Sequence, residues 1–446
     1  MFRYFNDNGK EVVKRGIIII LLLILICDGL NFSYLKLHGK SQNTSMAGDH
    51  GSAALVNDYS NFEESEQIDN TIDRFMKMWL VKGMSVAIVK NEKLVFAKGY
   101  GFADEENKIK VTPSHVFRIA SVSKLITATA IMKLCESGKL RLDDKVFGSN
   151  GILNQPQYLN YKDKRMEMIT IKNLLNHSGG WSQRYGDPMF NSLDIAKKVG
   201  DKAPATIDTY LKFVLSRNLQ FTPGTTSCYS NMGYVILSKV IEKVSGVPYE
   251  EYVKTQLFDP IGIRDVHIGH TCSSDHFINE VKYYEQEGSN MVPSCFGNGK
   301  MVKKSDGGNN IELLSSAGGW VTTAAELAKF VTAIDGVGEN DIISPKSVKT
   351  MTQYDPVKGP LGWKSVGSDG TWWRTGSMPG TSAVVKHMPD GTEWVVLMNT
   401  SSWKGPRFPR YVDTMISHIL QKIDSWPQHN LFDYMYHASK LVASKN

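Results

Sequence analysis

The spacing of apolar residues predicts strands near both ends of the chain and helices between them. From residue 68, IDNTIDRFMKMWLVKG has helical spacing, and SVAIVKN and LVFAKGYG follow as two strands joined by a turn at Asn91 and Glu92. Two more strands, SAVVKHMPD and TEWVVLMNT, precede a last helix in RYVDTMISHILQKI. This order predicts an α+β fold, in which the two ends of the chain build one antiparallel sheet flanked by helices and a helical lobe is inserted between them.

The middle of the chain has two strong helical patterns. RIASVSKLITATAIMKLCESGKL, from residue 118, is strongly apolar, whereas residues 233–246, GYVILSKVIEKVSG, are amphipathic and end at Gly246. Between these two segments, IKNLLNHSGGW predicts a short helix that ends at Gly179 and Gly180. The apolar helix should therefore lie inside the molecule.

The N-terminus differs from this globular pattern. Residues 17–27, IIIILLLILIC, are unbroken hydrocarbon after Lys10, Lys14 and Arg15, as in a signal peptide. The alternative is an uncleaved signal-anchor, which would hold the protein in a membrane through residues 16–35. Both interpretations predict entry into the secretory pathway, giving a protein that is either secreted or anchored as a type II membrane protein with its folded domain outside the cytosol.

The domain boundaries follow from these segments. We predict a leader over residues 1–29, a flexible stalk over 30–66, one folded domain over 67–424 and a C-terminal tail over 425–446. The stalk contains Asn43, which is the best glycosylation acceptor among four N-x-S/T sequons because it lies in an exposed linker.

Composition excludes some classes of function. The net charge of +6 comes from 51 basic and 45 acidic residues spread along the chain, without a basic run interleaved with aromatic residues, so no nucleic-acid partner is expected. Four cysteines outside the leader are too few for a disulfide scaffold, and a bridge between Cys272 and Cys295 stays open.

A serine and a lysine, Ser121 and Lys124, lie three positions apart at the start of the apolar helix. Residues at this spacing share a helix face, so the amine can reach the hydroxyl. The helix N-terminus and burial both disfavour the ammonium form, and a neutral amine can act as a base. The alternative is an N-cap serine beside a surface lysine. A second S-x-x-K copy, at Ser401 and Lys404, follows a strand and is interpreted as chance.

Two polar segments further along the chain offer partners for this pair. Tyr229 and Asn231 lie between a Pro-Gly turn and a helix; a tyrosine beside cations can shuttle a proton, and an asparagine can hold a substrate carbonyl. Taken alone, this first segment also fits a structural role, as a packed tyrosine with a capping asparagine, and the second segment alone fits a polar loop. The second segment is RTGS before a strand, where the glycine permits close approach and the next N–H can donate to an oxyanion: Arg374, Thr375, Gly376 and Ser377.

In this order the three motifs resemble those of the serine β-lactamase and penicillin-recognising family, which includes class C β-lactamases, D-alanyl carboxypeptidases and related esterases. The resemblance runs from about residue 68 to about 420, and among eukaryotic members the chain is similar to LACTB-type serine hydrolases. It implies a β-lactamase/transpeptidase-like fold and an acyl-enzyme mechanism on an ester or amide of peptide-like character. It rests on VFRIASVSKLITATAIMKL, ITIKNLLNHSGGW, FTPGTTSCYSNMGYVILSKVIEKVSGVPYEEYV, SAGGWVTTAAELAKF and RTGSMPGTSAVV.

The resemblance also implies a role for each motif residue. Ser121 would be the acylated nucleophile, Lys124 its activating base and Tyr229 a second acid/base, while Asn231 would orient the substrate. The backbone N–H groups of Ser121 and Ser377 would form the oxyanion hole. Arg374 stands where the family usually carries Lys or His; because arginine does not shuttle protons but binds carboxylates, we expect it to anchor the substrate.

Some chemistry is not expected. The cluster His267, His270, Cys272 and His276 matches no standard zinc spacing, so neither a metal nor another cofactor is predicted. The sequence contains no G-x-S-x-G nucleophile elbow and no identifiable class A deacylating glutamate, so efficient β-lactam hydrolysis is not implied. A catalytically silent binding or scaffold protein that retains the fold is the rival hypothesis, favoured by Arg374. Within the enzymes, a lipase or carboxylesterase is a further alternative.

Overall fold

The computed structural model describes residues 55–184, 186–353, 355 and 357–435. The predicted leader, the possible signal-anchor at 16–35, Asn43 and most of the stalk lie outside these residues. No helix of the described part combines the length and the apolar character that crossing a bilayer requires.

A seven-stranded antiparallel sheet is the centre of the domain. Its strand order is β3-β2-β1-β12-β11-β10-β9, so that the first strands of the chain pair with the last through β1 and β12. This confirms the α+β class and the sheet built from both ends of the chain. The strands are β1 Gly83–Lys90, β2 Lys93–Asp104, β3 Ile109–Lys110, β4 Phe117–Arg118, β5 Val266–Ile268, β6 Val292–Pro293, β7 Met301–Val302, β8 Trp320–Thr322, β9 Ser365–Val366, β10 Trp372–Met378, β11 Thr381–His387 and β12 Thr392–Met398.

The helices lie on the two faces of the sheet and in the inserted lobe between β4 and β8. The predicted helices are present, although their ends differ by a few residues: the first begins at Ser65, and the amphipathic one runs from Asn231 to Ser245 with Gly246 as its left-handed C-cap. The helices are α1 Ser65–Trp79, α2 Ser123–Glu136, α3 Ile171–Leu175, α4 Ser192–Val199, α5 Ile207–Leu215, α6 Asn231–Ser245, α7 Tyr249–Val253, α8 Ala324–Thr332, α9 Pro345–Met351 and α10 Phe408–Lys422.

Two hydrophobic cores cover the two faces of the sheet. On one face, α1 and α10 pack against Val86, Val384 and Trp394. On the other face a larger core joins the sheet to α2, α6 and α8 and continues into the helical lobe. Because α2 is apolar all round, it lies in the middle of this second core. Its first turn lies at the junction of the sheet and the helical lobe.

The folded domain extends further at both ends than the apolar pattern predicts. Ser60, within the predicted stalk, is buried, and its hydroxyl donates to the Ala97 carbonyl and accepts from the Ala97 N–H, both at 2.8 Å. Leu431 and Phe432, within the predicted tail, are buried beside β2 and α8. These segments are short and mix polar with apolar residues, so they give no clear periodic signal, and hydrogen bonds to β2 help to hold them.

The cysteine and histidine clusters are structural in the described residues. All four cysteines there are free thiols, including Cys272 and Cys295. In the His-rich segment, the His267 ring stacks on Phe277 at 4.4 Å and His276 Nε2 lies 3.0 Å from an Arg118 guanidinium nitrogen.

Candidate active site

Ser121 lies on a single 3-10 turn, Ala120–Val122, that leads into α2. The residue before it, Ala120, has a φ of +46°, a left-handed conformation that is uncommon for any residue other than glycine. The turn places the serine at the junction of sheet and lobe, where its side chain is half-buried. Strained backbone of this kind is often found at functional sites, where the surrounding packing maintains it.

Lys124 is completely buried, and its amine faces three oxygen atoms. Nζ lies 3.3 Å from Ser121 Oγ, donates to Asn231 Oδ1 at 2.6 Å and donates to the backbone carbonyl of Ala317. The last two partners are acceptors only, so a neutral amine would use both of its N–H groups on them. Its lone pair would then face the Ser121 hydroxyl.

Tyr229 completes the hydrogen bonding of the serine. Its phenol lies 2.7 Å from Ser121 Oγ, and the Lys124 amine stands 4.9 Å from the centre of its ring. The half-buried imidazole of His177 packs against the other side, with ring centroids 4.6 Å apart. The tyrosine is therefore held between an aromatic neighbour and a cation, with its hydroxyl aimed at the serine.

Asn231 is oriented by a carboxylate from the helical lobe. Its amide nitrogen donates to Asp187 Oδ2 at 2.7 Å, which turns its oxygen toward Lys124. Reversing the amide would set an N–H group against the amine and break both bonds. Asp187 thus acts on the lysine through Asn231.

Arg374 is buried and points inward, toward the serine. Its Nε donates to the Ser121 carbonyl at 2.8 Å, and Nη2 lies 3.4 Å from the Tyr229 hydroxyl. Only 2% of its surface is exposed. This geometry differs from the expected substrate anchor, because the guanidinium is already engaged by the protein.

Thr375 and Ser377 lie on the outer side of the same strand, whereas Gly376 lies on the inner side with Arg374. Ser377 is exposed, and the Thr375 hydroxyl accepts from the amine of Lys364 at 3.0 Å. Gly376 packs on the turn that carries the serine: a Cβ there would collide with the Ile119 carbonyl and lie 3.0 Å from the Ser121 nitrogen. β10 approaches this closely only because position 376 has no side chain.

Burial and the charges of the site lower the pKa values of three of its groups. Burial, reinforced by the nearby Arg374 charge, lowers the pKa of Lys124 to about 8. For Tyr229 burial acts upward, but the charges of Lys124 and Arg374 outweigh it and hold its pKa below the usual value. Burial, together with the same two cations, keeps the pKa of His177 well below its usual value, so this histidine is neutral.

The structure brings all three sequence motifs together. Ser121, Lys124, Tyr229, Asn231 and Arg374 are joined by direct hydrogen bonds, although up to 253 positions separate two bonded residues.

Three contributors were not identified from the sequence. Asp187, the Ala317 carbonyl and His177 act through position in the fold rather than through a local motif. Ala317 and His177 lie in SAGGW and NHSGG, which are part of the segments that carry the family resemblance. Nothing in either segment indicated contact with Lys124 or Tyr229.

Two cavities open beside the site. One, of about 800 Å³, is lined by Ser377 and Met378 together with the 190–194 segment. The other, of about 830 Å³, is lined by Tyr229 and Asp187. Asn191 and Asp194 line both cavities, so the two cavities adjoin each other at this segment.

Comparison with known proteins points to one family. Residues 68–419 match the family described as Beta-lactamase. PbpX of Bacillus subtilis (strain 168), a protein named as a penicillin-binding protein, is 27% identical over 404 residues, covering 89% of this chain and 91% of that protein. Protein flp of Staphylococcus aureus (strain N315) is 30% identical over 237 residues, covering 52% of this chain; the match spans 43% of that protein, less than half of its length.

Solved structures share the fold. The D-amino acid amidase of Ochrobactrum anthropi SV3, in complex with D-phenylalanine, superposes with a TM-score of 0.63 over 81% of this chain and 100% of the amidase. Its sequence is 22% identical, a level at which the likeness concerns the fold.

Proposed function

The chain belongs to the β-lactamase family, and on that premise we propose that it is a metal-independent serine hydrolase that acts through an acyl-enzyme. One observation carries the proposal. Ser121 Oγ lies 2.7 Å from the Tyr229 hydroxyl and 3.3 Å from the amine of a fully buried lysine. A nucleophile within reach of a base, which other groups orient in turn, is the arrangement that covalent catalysis requires.

The proposed reaction begins with proton transfer from Ser121 to the neutral amine of Lys124. The serine oxygen then attacks the carbonyl carbon of the substrate, and the negative charge on the carbonyl oxygen is stabilised by the backbone N–H groups of Ser121 and Ser377. Tyr229 relays a proton to the leaving nitrogen or oxygen as the bond to it breaks. Water then releases the acyl group and restores the serine hydroxyl.

The cavities favour an ester or amide that extends on both sides of the scissile bond. One cavity begins at Ser377, where the carbonyl oxygen would lie, and the other begins at Tyr229, where the leaving group would depart. Two adjoining cavities of this size suit a peptide-like substrate better than a small ester.

The rival hypothesis, a silent binding protein, receives less support. Burying a lysine without a carboxylate partner costs stability, and the close partners of the Lys124 amine are a hydroxyl, an amide oxygen and a backbone carbonyl. A non-catalytic scaffold would gain nothing from this loss of stability. A catalytic base needs the lowered pKa of the Lys124 amine that the burial produces.

Hydrolysis of a substrate panel tests the proposal. We expect purified protein to hydrolyse at least one of D-aminoacyl amides, short peptides ending in D-residues, and nitrophenyl esters, with a loss of at least about 10³-fold in Ser121→Ala. Ser368→Ala changes an exposed serine outside the cavities described and serves as the matched control. Folded wild type that binds these compounds without turnover, or turnover that persists in Ser121→Ala, would refute the proposal.

A further inference from the structure

A second group of buried ionisable side chains lies away from the serine, at the opposite end of β11. Asp335, His387 and Glu393 are each at least nine-tenths buried, and one ligand atom from each lies within 4.8 Å of the other two. His387 pairs with Trp372, four residues along β10 from Gly376, which is about 13 Å at the rise of a strand. The group is therefore separate from the proposed catalytic site.

The side chains around this group hold its members in fixed orientations. His387 Nδ1 lies 2.8 Å from Glu393 Oε1, and the imidazole stacks on Trp372 with ring centroids 4.1 Å apart. The other Glu393 oxygen accepts from the Thr332 hydroxyl at 2.7 Å, and Asp335 accepts from a backbone N–H. Hydrogen-bond partners that orient the ligating side chains in this way are typical of metal sites.

Two more carboxylates extend the group. Glu92 neighbours Asp335, and both carboxylate oxygens of Asp341 are buried without a hydrogen-bond partner. The loop 335–341 folds over them: a Cβ on Gly338 would lie 2.5 Å from a Glu92 oxygen and 3.4 Å from an Asp341 oxygen. An unpartnered buried carboxylate beside three others requires either a proton or a cation.

The charge of the cluster has no compensating lysine or arginine in direct contact. In the described part of the chain, the ion pair recorded for these four carboxylates is the one between His387 and Glu393. The cluster therefore carries negative charge that contacts among the described side chains leave uncompensated.

We propose that Asp335, His387 and Glu393, with Glu92 and Asp341 beside them, bind a divalent transition-metal ion, zinc or manganese, that stabilises the fold. One imidazole nitrogen with several carboxylate oxygens is a donor set for these ions rather than for Ca²⁺, which takes oxygen ligands. A cavity of about 750 Å³ adjoins the outer side of the group, where Glu92, Thr332 and Asp341 line it. The sequence does not reveal the site, because its residues come from four separate segments.

Metal content and thermal stability of the full chain test this proposal. After treatment with a chelator, we expect the protein to bind about one equivalent of Zn²⁺ or Mn²⁺ per chain by elemental analysis, and its melting temperature to rise by about 5 °C or more.

Isosteric variants separate a metal site from simple packing. Glu393→Gln and Asp335→Asn should lose both the bound metal and the rise in melting temperature, whereas Ser121→Ala should keep both. Circular dichroism of each variant without metal verifies that it is folded. Folded wild type that binds less than about 0.1 equivalent, stabilisation by Ca²⁺ alone, or a folded Glu393→Gln protein that binds as wild type does would each overturn the proposal.

Discussion

At the scale of single residues, the chemistry of the site depends on the charge of Lys124. Its amine has hydrogen-bond acceptors around it but no carboxylate among its closest partners, so burial dominates and the pKa falls to about 8. About a tenth of the lysine is then neutral at pH 7, compared with less than about a thousandth for an exposed lysine. This gain in neutral amine is what the fold contributes to the nucleophile.

The acylation rate should therefore rise with pH. Since the neutral form of Lys124 is the base, we expect the rate with an uncharged ester to increase about tenfold per pH unit below 7 and to level off above a midpoint near 8. Stopped-flow measurements between pH 5.5 and 9 check this. The variant Lys124→Arg, which stays charged, should lack the rising limb, and a flat profile in the wild type would contradict the role of the amine.

The inward orientation of Arg374 leaves another cation to meet the substrate. Lys364 is exposed and its amine contacts Thr375, on the outer side of the same strand. We expect Lys364→Ala to raise KM about 5- to 30-fold for substrates with a free carboxylate and to leave their neutral esters unchanged. The exposed Lys346→Ala is the control. Equal effects on both kinds of substrate would show that Lys364 does not bind the carboxylate.

The sequence predicts which residues form the site better than it predicts how they point. Ser121 and Lys124 share a local spacing, so their proximity follows from helix geometry alone. The direction of Arg374 depends on a carbonyl 253 positions earlier in the chain, and the orientation of Asn231 depends on Asp187, 44 positions away. No local pattern encodes contacts at such separations.

At the scale of elements, the site is a junction between the first turn of α2 and the strand β10. The turn is held in place because α2 is buried on all sides and because Gly376 lets β10 contact the Ile119–Ser121 backbone. The periodicity of the sequence predicted the helix and the strand that follows RTGS, but not the 3-10 turn or the positive φ of Ala120, which result from packing against β10.

A side chain at position 376 should separate these two elements. Because a Cβ there meets backbone atoms that do not rotate away, we expect Gly376→Ala to shift β10 from Ser121 and to slow acylation by about 10²-fold or more. The equivalent change at Gly359, where a Cβ meets nothing within 4 Å although φ is +72°, is the control for backbone strain. Unchanged acylation in folded Gly376→Ala would contradict the proposed oxyanion site.

At the scale of the whole molecule, the sheet joins the two ends of the chain. The predicted pairing of early and late strands is present as β1 against β12, because both have the apolar sequences that a strand buried on both faces needs. The outer segments were missed because residues 55–64 and 425–435 are short and mix polar with apolar residues, and because their hydrogen bonds to β2 have no periodic signature.

The contact of residues 55–64 should be measurable as stability. Ser60→Ala removes a hydroxyl that bonds both the N–H and the carbonyl of Ala97, leaving those buried groups unpaired. We expect a loss of about 1–3 kcal/mol in the free energy of unfolding, measured by urea denaturation. The exposed Ser289→Ala should change it by less than about 0.5 kcal/mol. Equal stabilities would mean that this segment is a stalk after all.

The most direct test of the account is to locate the acyl group. Wild-type protein is treated with a fluorophosphonate or a fluorescent penicillin, quenched and digested, and the modified peptide is sequenced by mass spectrometry. The account predicts a single adduct on Ser121, formed at least about 10³-fold more slowly in Lys124→Arg and absent in Ser121→Ala. An adduct on any other residue, or one that persists in folded Ser121→Ala, would contradict it.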